Sequence, residues 1–448
     1  MTVRPPSVDA VVRQLGELAY PRLLVVAQVR RVLDRVRRGE LAAEAIPRAV
    51  AQELERLSTP SLRRVINATG VILHTNLGRA PLVRFGPVDG YSNLEYDLAA
   101  GARGRRDAHT RPLLEQLLGV PGLAVNNGAA AVFLVLHELA AGGEVIVSRG
   151  ELIEIGDGFR IPDIMQRSGA ILKEVGATNR TSLADYERAI NERTRLILRV
   201  HPSNFRLSGF TAKPMLAELA ALGRQRGIPV YEDLGSGCVT DLKPYGIEEP
   251  LVQDSLNAKV DLVSFSADKL LGGPQTGIIA GRADLIERVR RNPIYRAFRC
   301  DKLIVSALEA TLRLLVLERY DEIPALWMIR RSAAELKARA MDMGEALEAE
   351  VIPGDSVIGG GSTPEQRLPT WLIAISGDVC SLERRLREND PPVLARIERD
   401  RLLIDLRTVF PEQEEALRQA LLAQTQRPGG SGRCSRTKAS QAGPAEAD

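Results

Sequence analysis

Between residues 66 and 310, short apolar runs rich in β-branched residues alternate with longer amphipathic stretches, and this alternation leaves few folds open. The runs are Leu123–Val125, Glu144–Val147, Ile171–Val175, Leu196–Val200, Pro229–Glu232, Leu262–Phe265 and Gly277–Ala280. Helical spacing fills the gaps at Ala129–Ala140, Ile161–Ser168, Ser182–Asn191 and Lys213–Arg226. A helix between successive strands carries the chain back to the same edge, so the strands run mostly parallel. The expected class is therefore α/β, with a large, doubly wound domain over 63–310.

Different patterns flank this region. Before it, Val11, Val12, Leu15 and Leu18, then Val25, Val29, Val32, Leu33 and Val36, then Val50, Leu54 and Leu57 recur at helical spacing. They predict a helical N-terminal domain over 1–62, closed by the turn Ser58-Thr-Pro-Ser. After it come helical patterns at Thr311–Leu317 and Ile329–Leu347, strands at Thr370–Ser376 and Leu402–Leu406, and a helix at Glu412–Leu422. These predict a smaller α+β domain over 311–426. Residues 427–448 are rich in Gly, Ser and Pro and almost free of apolar side chains, so a disordered tail is expected.

Composition excludes several classes. With 44% hydrophobic and 26% charged residues, the chain is ordinary for a water-soluble globular protein. Residues 1–10 lack an apolar core for a signal peptide, and the run Leu23–Ala27 is too short to span a bilayer. The four cysteines show no CxxC or CxxxC spacing, so neither a zinc site nor a disulfide framework is implied, and a cytoplasmic location is the default. Residues 1–65 hold twelve Arg and seven acids, a net of +5 against +3 for the whole chain. Arg30, Arg31, Arg35, Arg37 and Arg38 either track a phosphate backbone or form a solvated helix face.

Arginine outnumbers lysine 52 to 8, yet one lysine, Lys269, stands in Ser264-Phe-Ser-Ala-Asp-Lys-Leu-Leu-Gly-Gly-Pro-Gln-Thr-Gly277, just after a predicted strand. Arginine stays protonated and forms no Schiff base, whereas lysine has a tunable amine. Pyridoxal 5'-phosphate (PLP) needs such an amine, phosphate donors, an acid for its pyridine nitrogen and a donor for its phenolic oxygen. Each has a candidate at the C-terminal end of a predicted strand, where ligands bind in open α/β sheets. Small residues at Asn127, Gly128 and Ala129 let backbone amides approach a phosphate, and Ser266 adds a contact. Asp233, thirty-six residues before Lys269, suits the pyridine nitrogen from a neighbouring strand. Asn204 suits the phenolic oxygen. His201 either lies against the ring or packs as a turn histidine, and Glu151 points to the same edge. No metal site is expected.

Longer motifs are more specific. Arg64-Val-Ile-Asn-Ala-Thr-Gly-Val, His74-Thr-Asn-Leu-Gly-Arg-Ala-Pro-Leu, Asn93-Leu-Glu-Tyr-Asp-Leu, Val147-Ser-Arg-Gly-Glu-Leu-Ile-Glu-Ile-Gly, Phe159-Arg-Ile-Pro-Asp-Ile-Met, Glu232-Asp-Leu-Gly-Ser-Gly and the run from Ser264 closely resemble the bacterial selenocysteine synthases. The likeness covers roughly residues 8–425 in order. It implies a fold-type-I PLP transferase that removes water from seryl-tRNA(Sec), giving dehydroalanyl-tRNA, and adds selenium from selenophosphate. It makes Lys269 the base for the α-proton and Asp268 a group that tunes that amine or helps the hydroxyl leave. It assigns selenophosphate to Arg79, Arg296 and Arg299, the last two three residues apart and so on one face if helical. It also implies tRNA binding by the N-terminal domain, a homodecamer, and active sites between subunits. A related reading is a selenocysteine-synthase-like PLP lyase acting on a small free substrate. The chain departs from the family in three places: Gly128 replaces a usual Asn, Ala267 replaces a usual Gly, and Val83–Asp89 is shorter than usual.

Overall fold

The computed structural model describes residues 5–425 apart from 87, 155–157, 159, 203–206, 208 and 361, and gives only the backbone at 362–365 and 425. Chain contacts divide it into two units, Met1–Val65 and Ile66–Asp448. In the first, helices Val8–Leu15, Arg22–Arg37 and Ile46–Ser58 bury Val11, Val25, Val29, Val32, Leu33, Ile46, Val50 and Leu54 against one another. Ser7 caps the first helix by accepting from the Ala10 amide. Among the five clustered arginines, Arg35, Arg37 and Arg38 pair with Glu53, Asp34 and Glu40. Arg30 and Arg31 are exposed and have no ion-pair partner among the described residues.

The second unit is built on a seven-stranded sheet. Its strands are β1 (Gly122–Val125), β2 (Glu144–Ser148), β3 (Ile171–Val175), β4 (Thr194–Val200), β5 (Val230–Gly235), β6 (Leu262–Ser266) and β7 (Gly277–Gly281). Their order is β1-β7-β6-β5-β4-β2-β3, parallel throughout except for β7, which runs antiparallel to both neighbours. Strand alternation sends Val145 and Val147 into one core and Ile146 into the other, and Leu196 and Leu198 oppose Ile197 in the same way. Both faces are thus buried, which explains why these strands read as continuous apolar runs.

A second sheet joins the long strands Glu350–Gly359 and Ser362–Ile375 to Arg401–Asp405, Arg396–Glu398 and the short Val71–Leu73. Val71 pairs with Val357, and Ile66 pairs in parallel with Val393, so the chain just after residue 65 belongs to C-terminal strands. Two expected helices differ from the sequence reading. The first starts at Lys302, where Asp301 accepts from two amides as its cap, and runs to Val316. The second is two helices, Pro324–Arg330 and Ala333–Ala346, divided before a Ser332 capping box. Cys238 and Cys300 are buried free thiols. No helix among the described residues is long and apolar enough to cross a membrane. The expected tail at 427–448 lies outside the described residues.

Candidate active site

The C-terminal ends of β1, β2, β4, β5 and β6 lie along one edge of the large sheet, and most of the singled-out residues stand there. β6 ends at Ser266 and the chain turns through Ala267, Asp268 and Lys269. Three backbone bonds fix that turn: Ala267 N donates to Thr276 O at 2.8 Å, Gly273 N to Ala267 O at 2.8 Å, and Leu270 N to Ser236 O at 3.1 Å. Gly237 has φ +68°, and a Cβ there would stand 2.5 Å from the Ser266 carbonyl oxygen, so only glycine lets the loop after Asp233 pack this closely. Ala267 is absent from the positive-φ residues, so alanine at that position carries no backbone strain.

Lys269 is 5% exposed and its amine has no hydrogen-bond partner among the described residues. Burial, and then the Arg79 guanidinium, lower its pKa, against the opposing pull of Asp233 and Asp268. Asp233 pairs across the sheet with Ser264, whose hydroxyl donates to Asp233 Oδ1 at 2.9 Å and lies 2.6 Å from the Tyr231 hydroxyl. Burial raises the Asp233 carboxyl to about 6, although Ser264 and Lys269 work against the rise. Ser264 supplies its only hydrogen bond among the described residues, so the second oxygen is uncommitted. Beside it, the buried Glu232 is also raised by burial, and its Oε2 has no partner.

Asn127 caps helix Gly128–Ala140, its side chain accepting from Ala130 N at 2.8 Å. The amides of the helix's first turn therefore face the same edge. A Cβ on Gly128 would lie 2.7 Å from Ser266 Oγ, so glycine is what brings Ser266 and the helix start together. His201 follows β4 and donates from its backbone to Asp233 O at 2.9 Å. Glu151 is already engaged: Arg199 Nη1 donates to it at 2.7 Å and Val200 N at 3.2 Å. Both of its oxygens thus brace the end of β4. Asn204 lies outside the described residues.

The three arginines stand in unlike settings. Arg79, in the left-handed region at φ +63°, donates to Asp268 Oδ2 at 2.7 Å, while its Nε is buried without a partner. Arg299 donates to Glu95 Oε1 at 3.0 Å, and Arg106 binds the same oxygen. The helix carrying Arg296 spans only Tyr295–Phe298, so Arg299 follows its end with extended backbone and the shared helical face does not form. Phe298 O accepts from Asn126 N at 3.0 Å, which ties this segment to the turn before Gly128. Sequence reading gave no role to Ser264, Tyr231, Arg199 and Glu95, although Ser264 and Glu95 stand inside quoted motifs, because each acts by holding another side chain.

This donor set fits PLP. It offers a buried amine with a lowered pKa, a buried acid in no ion pair among the described residues, and a helix start opened by glycine beside a hydroxyl. Among the described residues, no cluster of three or more His, Cys, Asp or Glu could hold a metal ion.

Residues 65–410 match the sequence profile of SelA, L-seryl-tRNA selenium transferase. The L-seryl-tRNA(Sec) selenium transferase of Aquifex aeolicus (strain VF5) is 46% identical over 439 residues, covering 93% of this chain and 97% of the relative. The chain belongs to the L-seryl-tRNA selenium transferase family. A second relative of that description, from Geobacter sulfurreducens, is 47% identical over 454 residues, covering 93% of this chain and 98% of its own. The solved structure of a D-glucosaminate-6-phosphate ammonia-lyase aligns with 83% of this chain and 99% of that one, at a TM-score of 0.54 and 19% identity. That likeness speaks for the fold alone, and the fold class is the expected α/β, fold-type-I arrangement.

Proposed function

We propose that this protein converts L-seryl-tRNA(Sec) to L-selenocysteinyl-tRNA(Sec), using PLP as cofactor and selenophosphate as selenium donor. The observation that carries this reading is the buried Lys269 beside the uncommitted Asp233, in a chain 46% identical over 93% of its length to a selenium transferase. PLP held at Lys269 supplies an electron sink for the seryl Cα.

The chain's own groups then divide the work. Asp233 accepts from the protonated pyridine nitrogen, which gives its buried carboxylate the positive partner it lacks. The amides of Gly128 and Ala129, the turn at Asn127 and the Ser266 hydroxyl hold the phosphate. His201 flanks the ring, Asn204 donates to the phenolic oxygen, and Glu151 keeps the end of β4 in place through Arg199. Lys269, whose pKa burial lowers, takes the α-proton. Asp268 sits next to that amine and assists departure of the seryl hydroxyl. Water loss leaves dehydroalanyl-tRNA, and Arg79, Arg296 and Arg299 bind the selenophosphate that adds to it.

On this reading residues 1–62 bind the tRNA, with Arg30 and Arg31 as the members of the arginine cluster in no ion pair among the described residues, 63–310 hold the cofactor, and 311–426 form the small domain. The protein works in the cytoplasm as a homodecamer. The deciding experiment is the visible spectrum of the purified protein before and after seryl-tRNA(Sec), with free serine as control. A change with the charged tRNA alone, followed by selenocysteinyl-tRNA when selenophosphate is added, is the expected result. A band that responds to a small free substrate instead would replace this reading with the lyase.

A further inference from the structure

Beside the Lys269 edge, at the ends of β2, β3 and β4, lies a cavity of about 630 Å³. Its wall includes His201, Glu249, Arg180, Lys213, Lys243 and Gln366. His201 belongs to both places: it lines the cavity and its backbone donates to Asp233 O at 2.9 Å. Whatever fills the cavity therefore stands next to the reacting centre.

Two features of the wall define the occupant. The Glu249 side chain is 5% exposed, and its Oε1 has no hydrogen-bond partner among the described residues. The imidazole Nε2 of His201 is 3.6 Å away, beyond hydrogen-bonding distance. A buried carboxylate oxygen in this state calls for a donor from a ligand. Elsewhere in the wall stand three cations, Arg180, Lys213 and Lys243; two of the chain's eight lysines thus line this one cavity. Of the other acids in the wall, Glu151 is matched by Arg199, and Glu248 is exposed. A nucleotide meets both requirements, its sugar hydroxyls donating hydrogen bonds and its phosphate carrying negative charge.

We infer that this cavity holds the 3'-terminal nucleotide of the seryl-tRNA, with a ribose hydroxyl donating to Glu249 and its phosphate on Lys213 and Lys243. The inference rests on the selenium-transfer reading, and it adds the subsite that brings the ester-linked serine to Lys269. Glu249 and the two lysines then act on substrate affinity, separately from the groups that hold PLP.

Adenosine 5'-monophosphate is the probe, titrated into the full-length PLP-loaded protein by calorimetry. It should bind, and it should compete with seryl-tRNA. Glu249→Gln, and separately Lys213→Ala with Lys243→Ala, should each weaken it about tenfold or more. Both variants should raise KM for seryl-tRNA by a similar factor and keep the visible PLP band, which shows that they fold. Adenosine without its phosphate should respond to Glu249→Gln but not to the lysine pair. Absence of AMP binding by the parent, or equal binding by parent and both variants, would overturn the inference. A parent protein inactive on seryl-tRNA is a different failure. It removes the wider reading, and with it the tRNA identity of the occupant, whatever AMP does.

Discussion

The N-terminal helices and the Lys269 edge both concentrate charge, but they treat it in opposite ways. In the first unit the five clustered arginines stand on the surface of a small apolar core, three in exposed or half-exposed pairs and two with no ion-pair partner among the described residues. Such charges gain little from any single geometry, and salt screens them. At the sheet edge Lys269, Asp233, Asp268, Arg199 and Glu151 are buried, so each orientation carries a large consequence. The first arrangement suits a long, sequence-tolerant polyanion; the second suits chemistry at one carbon. Substitutions should therefore cause steep, local losses at the edge and graded, salt-dependent ones in the helices.

Lys269→Ala should give the largest effect. The visible band should vanish, and turnover of seryl-tRNA should fall by about 10³-fold or more, since both cofactor attachment and proton transfer go with the amine. Single-turnover assays at saturating tRNA measure this, and retention of activity would mean that another group holds the cofactor. Deleting residues 1–60 should do the reverse. The band should stay, while affinity for seryl-tRNA drops about 100-fold or more and its salt dependence flattens. Unchanged tRNA binding would end the contrast between the two regions.

Asp233→Asn tests what burial costs at the edge. The Asp233 carboxyl stands at about 6 against an ordinary 3.8, so between those values the native state without cofactor binds more protons than the unfolded state. Its stability should therefore fall as pH rises from about 4 to about 6, and stay reduced above that. Asn removes the Asp233 share of the slope, leaving that of the buried Glu232, and should stabilise the cofactor-free protein at pH 7 by roughly 3 kcal/mol, while weakening PLP binding. Denaturation across that pH range, with and without PLP, checks both halves. An identical pH slope in parent and variant would show that Asp233 is not the group responsible.

Arg296→Ala with Arg299→Ala should leave dehydration of the seryl group largely intact and slow selenium transfer by about tenfold to a hundredfold. The two steps can be followed separately, by dehydroalanyl-tRNA formation and by selenium incorporation. Equal loss of both steps would remove the anion role. Salt should weaken the contribution lost with this pair less than the contribution lost with residues 1–60, because Arg299 is partly sheltered on Glu95.

The large sheet was legible because burial on both faces made its strands apolar from end to end; the run at Glu144–Val147 is short of the real strand by one residue. Strand order was not legible. Nothing local records that β7 runs antiparallel between β1 and β6. The strand Glu350–Gly359 escaped notice because Pro353 and Gly354 interrupt its pattern. In the site, Lys269 and Asp233 stood out by residue type and position after predicted strands. Their supports did not. Ser264 reaches Asp233 across a strand pair, and Glu249 comes to His201 from a loop forty-eight residues later. Partners that are distant in sequence and ordinary in type leave no periodic trace.

Gly128→Asn makes the smallest and most discriminating change, since it restores the residue that the resembled family usually carries. Gly128 is not at positive φ, so the backbone accepts a side chain. The obstacle is Ser266 Oγ, 2.7 Å from where the Cβ would stand. That atom ends a short rotatable side chain and can swing aside, so the folding penalty should stay within about 1 kcal/mol. The helix start loses its close approach to Ser266, and the Asn amide offers a donor in exchange. PLP affinity should accordingly change by less than about tenfold in either direction. A larger loss, measured by PLP titration of the cofactor-free protein, would mean that the Ser266 contact dominates the phosphate site. A larger gain would mean that the glycine has left the edge short of a donor, and that this region, unlike the arginine-bearing helices, depends on each polar atom.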